Sequence, residues 1–369
     1  MRISPLHDIL AAQGASFTQR HGSEIVSSVS EPAVEYDHIR NKVGLTDFSF
    51  MQKFTIPEEP GIDFLDTLLA GNVAKVRFGR MLHTFLADDN GNIIADCYVA
   101  NNDEELILLC ESIIDDAALK DILEKHGAAD AGLVDCTGSH VLLGIDGFKA
   151  WAVVKDLFGI DVLGLPYLSI EMYPFGDTDI RFFRAGKTSE FGYLLLAPRE
   201  IGEQLFAAAL DGVRKYDGGL CSVAVHNDLR LEGRFFNIYA EGTVVKDPLQ
   251  LGLQWMIDFD KDSFAGSAAI MQRRENGLTK KIIGIQTAVP LEEFVAGVGI
   301  YDGSEQVAEV KATCYSPLLQ ECIGLGLFPV DIAYAGLTFN LGGADGPAVH
   351  TISMSPIMPR SLTIKLDDM

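Results

Sequence analysis

Apolar and polar residues change their spacing several times along this chain, and each change marks an element. A helical spacing covers residues 35–45 and again 63–69. Two β-like runs, 83–87 and 93–100, flank the turn signal Asp88-Asp89-Asn90-Gly91-Asn92, which predicts a hairpin. Residues 105–110 read as the next strand. Residues 113–126 read as an amphipathic helix stopped by Gly127. A strand opening at His140 leads into a helix over 148–158. Strands are expected at 168–173, 180–183 and 193–196, and helices at 199–216 and 224–238. After Gly277 the texture changes to short Val, Ile and Leu runs punctuated by Gly, Pro and Asp, the pattern of an all-β unit. The polar stretch 271–277 is a plausible junction, so the chain divides into 1–276 and 277–369. No internal repeat or low-complexity tract interrupts it.

Composition narrows the class. The 369 residues are 48% apolar and 22% charged, an ordinary folded composition with room for two or three domains. Lys plus Arg number 29 against 52 Asp plus Glu, a formal net charge of −23. Such a chain repels phosphate backbones and anionic lipid, so neither nucleic acid nor a membrane surface is an expected partner. Pro5, His7 and Asp8 break any apolar run at the start, which argues against a leader or a span there. The six cysteines form no Cys-x-x-Cys pair, and several lie in apolar runs, such as Cys110 after Leu108 and Leu109. They read as small hydrophobes of a reduced, cytoplasmic protein.

Several familiar chemistries fail on spacing. Gly186-Lys187-Thr188 lacks the glycine that a phosphate loop needs five positions earlier, where Arg181 stands. Gly144 and Gly147 are followed by Ala150 and read as an ordinary strand-to-helix turn. The histidines form no zinc-binding spacing, so no metal is expected, and no Gly-x-Ser-x-Gly elbow marks a hydrolase. Asp96 stands out. Alternation in 93–100 places Ile94, Asp96 and Tyr98 on one face of a strongly apolar strand. An unpaired carboxylate is costly to bury there. Either that face opens on solvent, or Asp96 has partners, or it lines a pocket.

Seven segments, in order, carry a resemblance to one family. HIRNKVGLTDFSFM at 38–51 is similar to that family's AVR…GMFDVSHM, and GNIIADCYV at 91–99 to GGIIDDLVV. RAGKTSEFGYL at 184–194 is similar to RTGYTGEDGFE, and DLRLE at 228–232 to TLRLE. Asp247-Pro248-Leu249 with Leu253-Gln254-Trp255 resembles SPLAANMGW; Phe264 to Ser267 resembles the start of FIGREAL; Tyr315 to Leu318 resembles FSPTLG. The chain thus resembles the aminomethyltransferases, typified by the T-protein of the glycine cleavage system. The resemblance implies an α+β, three-part, cloverleaf-like fold: two intertwined α+β subdomains in 1–276 and a C-terminal β-barrel in 277–369, around a pocket for tetrahydrofolate. It implies transfer of an aminomethyl or methyl group to folate N5, with Asp96 as the catalytic carboxylate beside N5; the preceding Asp of the family pair is Ala95. A fixed carboxylate in a dry pocket suits that reaction, because positive charge develops as carbon bonds to nitrogen.

Departures cluster at the implied pocket. Lys187 stands at the family's Tyr, Leu194 at its pterin-binding Glu, His226 at an Arg, Cys110 at an Asn and Phe50 at a His. Tyr193, His226 and Glu190 are candidates to take over folate contacts. Met51, Tyr98 and Trp255 are either pocket walls or core, Lys187 is either a solvated cation or a contact for a glutamate tail or a carboxylated substrate, and Arg230 and Glu232 read as helix packing and surface pairing. The implied donor is a small one-carbon compound or a lipoylated carrier protein; such carriers are usually acidic, and a −23 chain meets them with unfavourable long-range electrostatics. A tetrahydrofolate-dependent demethylase of an O-, S- or N-methyl donor, and a folate-binding relative without turnover, stand as alternatives.

Overall fold

The architecture comes from a computed structural model, which describes residues 1–365. Its first sheet is antiparallel and five-stranded, in the order Met81–Ala87, Ile93–Asn101, Glu105–Ser112, Gln52–Pro57 and Val134–Asp135. The second has six strands in the order Ser169–Phe175, Thr178–Arg184, Gly192–Pro198, His140–Asp146, Gly44–Asp47 and Gly219–Cys221, with the last pair parallel. The chain alternates between them. Gly44–Asp47 belongs to the six-stranded sheet, and after only residues 48–51 Gln52–Pro57 enters the other. A single bridge, Arg80 to Ser169, joins the two sheet edges. The expected intertwining is therefore a consequence of connectivity. The closed C-terminal barrel runs Lys280–Thr287, Glu321–Pro329, Glu305–Ser316, Gly299–Asp302, Thr338–Leu341 and Ala348–Ile352, and returns to Lys280–Thr287. No helix of the described residues is long and apolar enough to cross a membrane. All six cysteines are buried and free.

The expected hairpin forms between Met81–Ala87 and Ile93–Asn101. Asp88 Oδ1 accepts from the backbone N–H of Asn90 and Asn92, each at 2.9 Å, and Gly91 takes a φ of +72° that suits glycine. All nine residues of Ile93–Asn101 are buried. That burial explains why a strand with a buried carboxylate holds: each fully buried Val, Leu or Ile contributes about 1.5–3 kcal/mol, against which one paired charge is tolerable.

Two expected helices are cut short: 224–238 ends at Gly233, and 35–45 gives way to a strand. In the latter the helix is Pro32–Asn41, and Gly44–Asp47 is a strand. Side-chain room decides this. A Cβ at Gly44 would lie 2.7 Å from both Cys221 Sγ and Ile39 Cγ1, so the chain there is pressed between helix and strand. Leu45 pairs with Ile145 on one side and Leu220 on the other. Tertiary pairing overrides an apolar spacing that suits either element.

Between the two sheets lies a separate apolar cluster that includes Phe48, Met51, Tyr98, Leu109, Phe183 and Leu194. The crossing segment 48–51, the middle of the hairpin, the loop after Thr178–Arg184 and the helix Val223–Gly233 all converge on this layer.

Candidate functional site

Strand pairing places Asp96 opposite Phe85 on one side and Glu111 on the other. Directly opposed like charges destabilise a sheet. Here the Lys187 ammonium sits between them: its Nζ donates to Asp96 Oδ2 at 2.5 Å and also to Glu111 Oε2. Lys187 lies in the loop between Thr178–Arg184 and Gly192–Pro198 and also faces the Tyr98 ring, 5.0 Å from its centroid. The Arg230 Nη2 donates to Glu111 Oε1 at 2.7 Å. Asp96 Oδ1, the remaining carboxylate oxygen, is 2.6 Å from His83 Nε2. His83 is the cross-strand partner of Tyr98, with ring centroids 4.5 Å apart. The result is a buried chain of charge running Arg230, Glu111, Lys187, Asp96, His83.

The electrostatics follow from burial and pairing. Burial pushes the Asp96 carboxyl up, but Lys187 and His83 outweigh it and hold it well below the ordinary carboxylate range. Burial likewise raises Glu111, and Arg230 and Lys187 overcome it, bringing it down to about 2. Burial works against the Arg230 charge, yet Glu111 raises the guanidinium above its ordinary value. Two neighbours lack such pairing. Burial pushes Asp146 up to about 7, and Oδ1 has no hydrogen-bond partner. Burial, with help from Arg230, pushes His226 down to about 3, so its ring is neutral; its Nε2 is 2.9 Å from Thr46 Oγ1.

These groups surround an inner chamber of about 20 Å³, lined by Phe48, Met51, Tyr98, Glu111, Asp146, Gly186, Lys187, Leu194, His226 and Arg230. That is room for about one water. Asp96, 1% exposed, has both carboxylate oxygens occupied. On the far side of His83 lies a cleft of about 610 Å³, lined among others by His83, Tyr167, Arg234, Gln250, Leu253, Trp255 and Lys281. His83 lines the cleft and also holds Asp96, and so links the carboxylate to the larger space.

The structure brings together Asp96, Tyr98, Met51, Lys187 and His226, all on or against the inner chamber. Trp255 is apart from them. It is 64% exposed, so it is not core, and it walls the outer cleft edge-on to His83 at 5.4 Å. Glu190 and Tyr193 do not line either space. The Glu190 carboxylate accepts from the backbone N–H of Arg360 and Ser361 and pairs with Arg40. Tyr193 is fully buried among the aliphatic and aromatic residues under the six-stranded sheet. Extended backbone alternates faces, and Tyr193 points opposite to Leu194, which does reach the chamber. Lys187 is not a solvated cation, and Arg230 and Glu232 are not surface groups: all three are buried in ion pairs.

Three groups, His83, Glu111 and Asp146, were not singled out by their pattern, and a fourth, Arg230, was read only as helix packing and surface pairing. His83 was legible in principle, because the Asp88–Asn92 turn fixes a register that sets it against Tyr98 on the Asp96 face. Glu111 lies one residue beyond the expected end of its strand. Asp146 and Arg230 gained their place only through the second sheet and the helix packed on it.

Residues 6–261 match the family model described as the GCVT N-terminal domain, so the chain belongs to that family. An aminomethyltransferase of Halothermothrix orenii is 26% identical over 348 residues, covering 91% of this chain and 94% of that protein. One of Thermosynechococcus vestitus is 28% identical over 342 residues, covering 90% and 88%. The crystal structure of the glycine cleavage system aminomethyltransferase T from Bartonella henselae superposes with a TM-score of 0.83 at 21% identity, covering 97% of this chain and 99% of that one. At that identity the superposition speaks for the fold, and it extends through the barrel that the family model does not reach.

Proposed function

We propose that this protein is a tetrahydrofolate-dependent one-carbon transferase that moves an aminomethyl or methyl group to folate N5. The observation that carries the reading is Asp96: a buried, ionised carboxylate at the position where the family's motif has its own, in a chain that belongs to that family. Tetrahydrofolate supplies the nitrogen that receives the carbon. The inner chamber is too small for a pteridine, whereas the outer cleft lies within the roughly 300–1,000 Å³ typical of small-molecule sites. In that cleft Trp255 and Tyr167 offer aromatic faces, Gln250 an amide, and Lys281 a cation that suits a carboxylated tail.

Within this reading Asp96 provides fixed negative charge beside the reacting centre, worth most where water is excluded. Lys187, Glu111 and Arg230 keep that charge ionised and immobile, so no reorganisation is needed when positive charge develops. The donor enters the same cleft, as a small molecule or as the arm of a lipoylated carrier; the net charge of −23 favours the former over an acidic protein.

Calorimetric titration with tetrahydrofolate tests the reading, followed by an anaerobic assay of carbon transfer to folate from an aminomethylated lipoyl carrier and from small methyl donors. Saturable binding and transfer from one donor class are expected. A protein that binds no tetrahydrofolate overturns it.

A further inference from the structure

We propose that Glu190 is a positioning residue for Asp96, acting through Lys187, and that the segment leaving the barrel, 353–361, is the strap that holds Glu190; what concerns transfer rests on the functional reading above. Lys187 is counter-ion to Asp96 and Glu111 only while its backbone stays where the ammonium reaches both. A lysine side chain is a flexible four-carbon stem, so the fixing must come from the loop that carries it.

That loop, 185–191, has a conformation it would not keep unaided. Ser189, two residues after Lys187, has a φ of +70°, a left-handed setting that a non-glycine residue retains only where its surroundings hold it. Three distant parts of the chain do so. Arg40, from the helix Pro32–Asn41, donates to the carbonyl of Thr188. Gly233 passes so close that a Cβ there would lie 1.9 Å from Ser189 Oγ. From the strap, the backbone N–H groups of Arg360 and Ser361 donate to the two oxygens of Glu190 at 3.2 and 2.9 Å, and Ser361 Oγ donates to the Ser189 carbonyl at 3.4 Å. A carboxylate holds two N–H groups more strongly than a neutral acceptor does. This accounts for an acid at 190 that meets neither the chamber nor the cleft.

The strap is itself pinned. Beyond the last barrel strand, Ala348–Ile352, Ile357 is buried. Arg360 Nη1 then donates to Asn41 Oδ1 at 2.6 Å, and its guanidinium lies 4.6 Å from the centroid of Phe148. Met358 and Leu362 are exposed, so at its far end the strap is held by these polar contacts rather than by apolar burial. With Glu190 removed, Ser189 relaxes and Lys187 withdraws. Asp96 is left buried with His83 on one oxygen and Glu111 opposite, which favours a proton on the facing carboxylates. The charged groups around Asp96 are Lys187 from the loop, Glu111 and His83 from the strands on either side, and Arg230 behind Glu111.

The test uses full-length variants and two readouts. Carbon-13 NMR of labelled aspartate, without ligand, follows the carboxyl resonance that Asp96→Asn removes. In the parent that carboxyl is expected to stay ionised down to about pH 4, and in Glu190→Ala to take up a proton above about pH 5. Glu190→Gln, which keeps one acceptor, is expected to fall between them. Arg360→Pro takes away one N–H donor where proline fits, at the first position of a short helical turn after the extended Pro359, and is expected to move the resonance the same way. In the transfer assay near neutral pH, Glu190→Ala is expected to lower kcat by about tenfold in the parent but by less than about twofold in Lys187→Met, because both changes remove the same counter-ion. Additive losses, or an Asp96 carboxyl still ionised at about pH 5 in Glu190→Ala, overturn the proposal. A parent that transfers no carbon to tetrahydrofolate overturns the functional reading instead, and the resonance still judges the strap.

Discussion

Two buried ionic networks lie close together in this protein, and they are built differently. In one, Glu232 accepts from Arg40 Nε and Nη2 at 3.0 and 2.8 Å, from Tyr36 Oη at 2.8 Å, and from Ser316 Oγ. Arg40 also donates to the carbonyls of Thr188 and Leu229. Every charged group there is saturated, and the network fastens two helices, a barrel strand and the loop that carries Lys187. The other network, from Arg230 to His83, leaves Arg230 Nε and the neighbouring Asp146 Oδ1 without partners, borders the small chamber and ends at the cleft. Saturation marks a fastening. Residual valence beside a space marks a site. The two are also coupled, because Arg40 holds the backbone at Thr188, next to Lys187.

The largest expected effect breaks the fastening. Arg40→Met leaves Glu232 and Glu190 buried without their cation, and should cost about 3–5 kcal/mol of stability in urea denaturation. A loss below about 1 kcal/mol would show that the saturated network is not what holds these elements. Lys187→Met acts on the other network. It leaves Asp96 and Glu111 facing each other, and a loss of about 3 kcal/mol is expected at pH 7. That loss should shrink towards pH 5, because two facing carboxylates take up a shared proton; a pH-independent loss counts against direct Asp96–Glu111 repulsion.

A further pair of variants separates two groups that lack an ionic partner by the sign of their pH dependence. Asp146 has its carboxyl raised to about 7, above the roughly 3.9 of an unfolded chain, so its contribution is lost as pH rises from about 4 to 7. His226 is lowered to about 3 from roughly 6.5, so its contribution is lost as pH falls from about 6.5 towards 3. Between pH 4 and 6.5 the two slopes oppose. Asp146→Asn should therefore make stability fall more steeply towards acid than in the parent, and His226→Asn should make it fall towards neutral pH. Parallel curves for both variants, measured by urea unfolding at several pH values, would remove the assignment of either shift.

Much of this protein was legible before any fold was known. The hairpin was written in Asp88 to Asn92, an all-β unit in the change of texture after Gly277 and its barrel in the family resemblance, and Asp96 in the misfit of one carboxylate with an apolar strand. These are local signals: turn chemistry, period and polarity act between near neighbours, and family motifs preserve their order along the chain. The helix–strand ambiguity at 35–45 was settled by packing around Gly44. The fate of Glu190 and Tyr193 was settled by which face of the chain met the chamber.

What the sequence determined by itself was the kind of molecule and the misfit of one carboxylate with an apolar strand. What the tertiary structure alone decided was most of that carboxylate's company. Lys187, Glu111 and Arg230 lie between 76 and 119 residues from the groups they bind. A pairing energy exists only where two charges share a dry space within a few ångströms, and such proximity depends on sheet order and register across distant segments. That is why Lys187 could be read from the sequence as a solvated cation and is, in the folded protein, the buried counter-ion between Asp96 and Glu111.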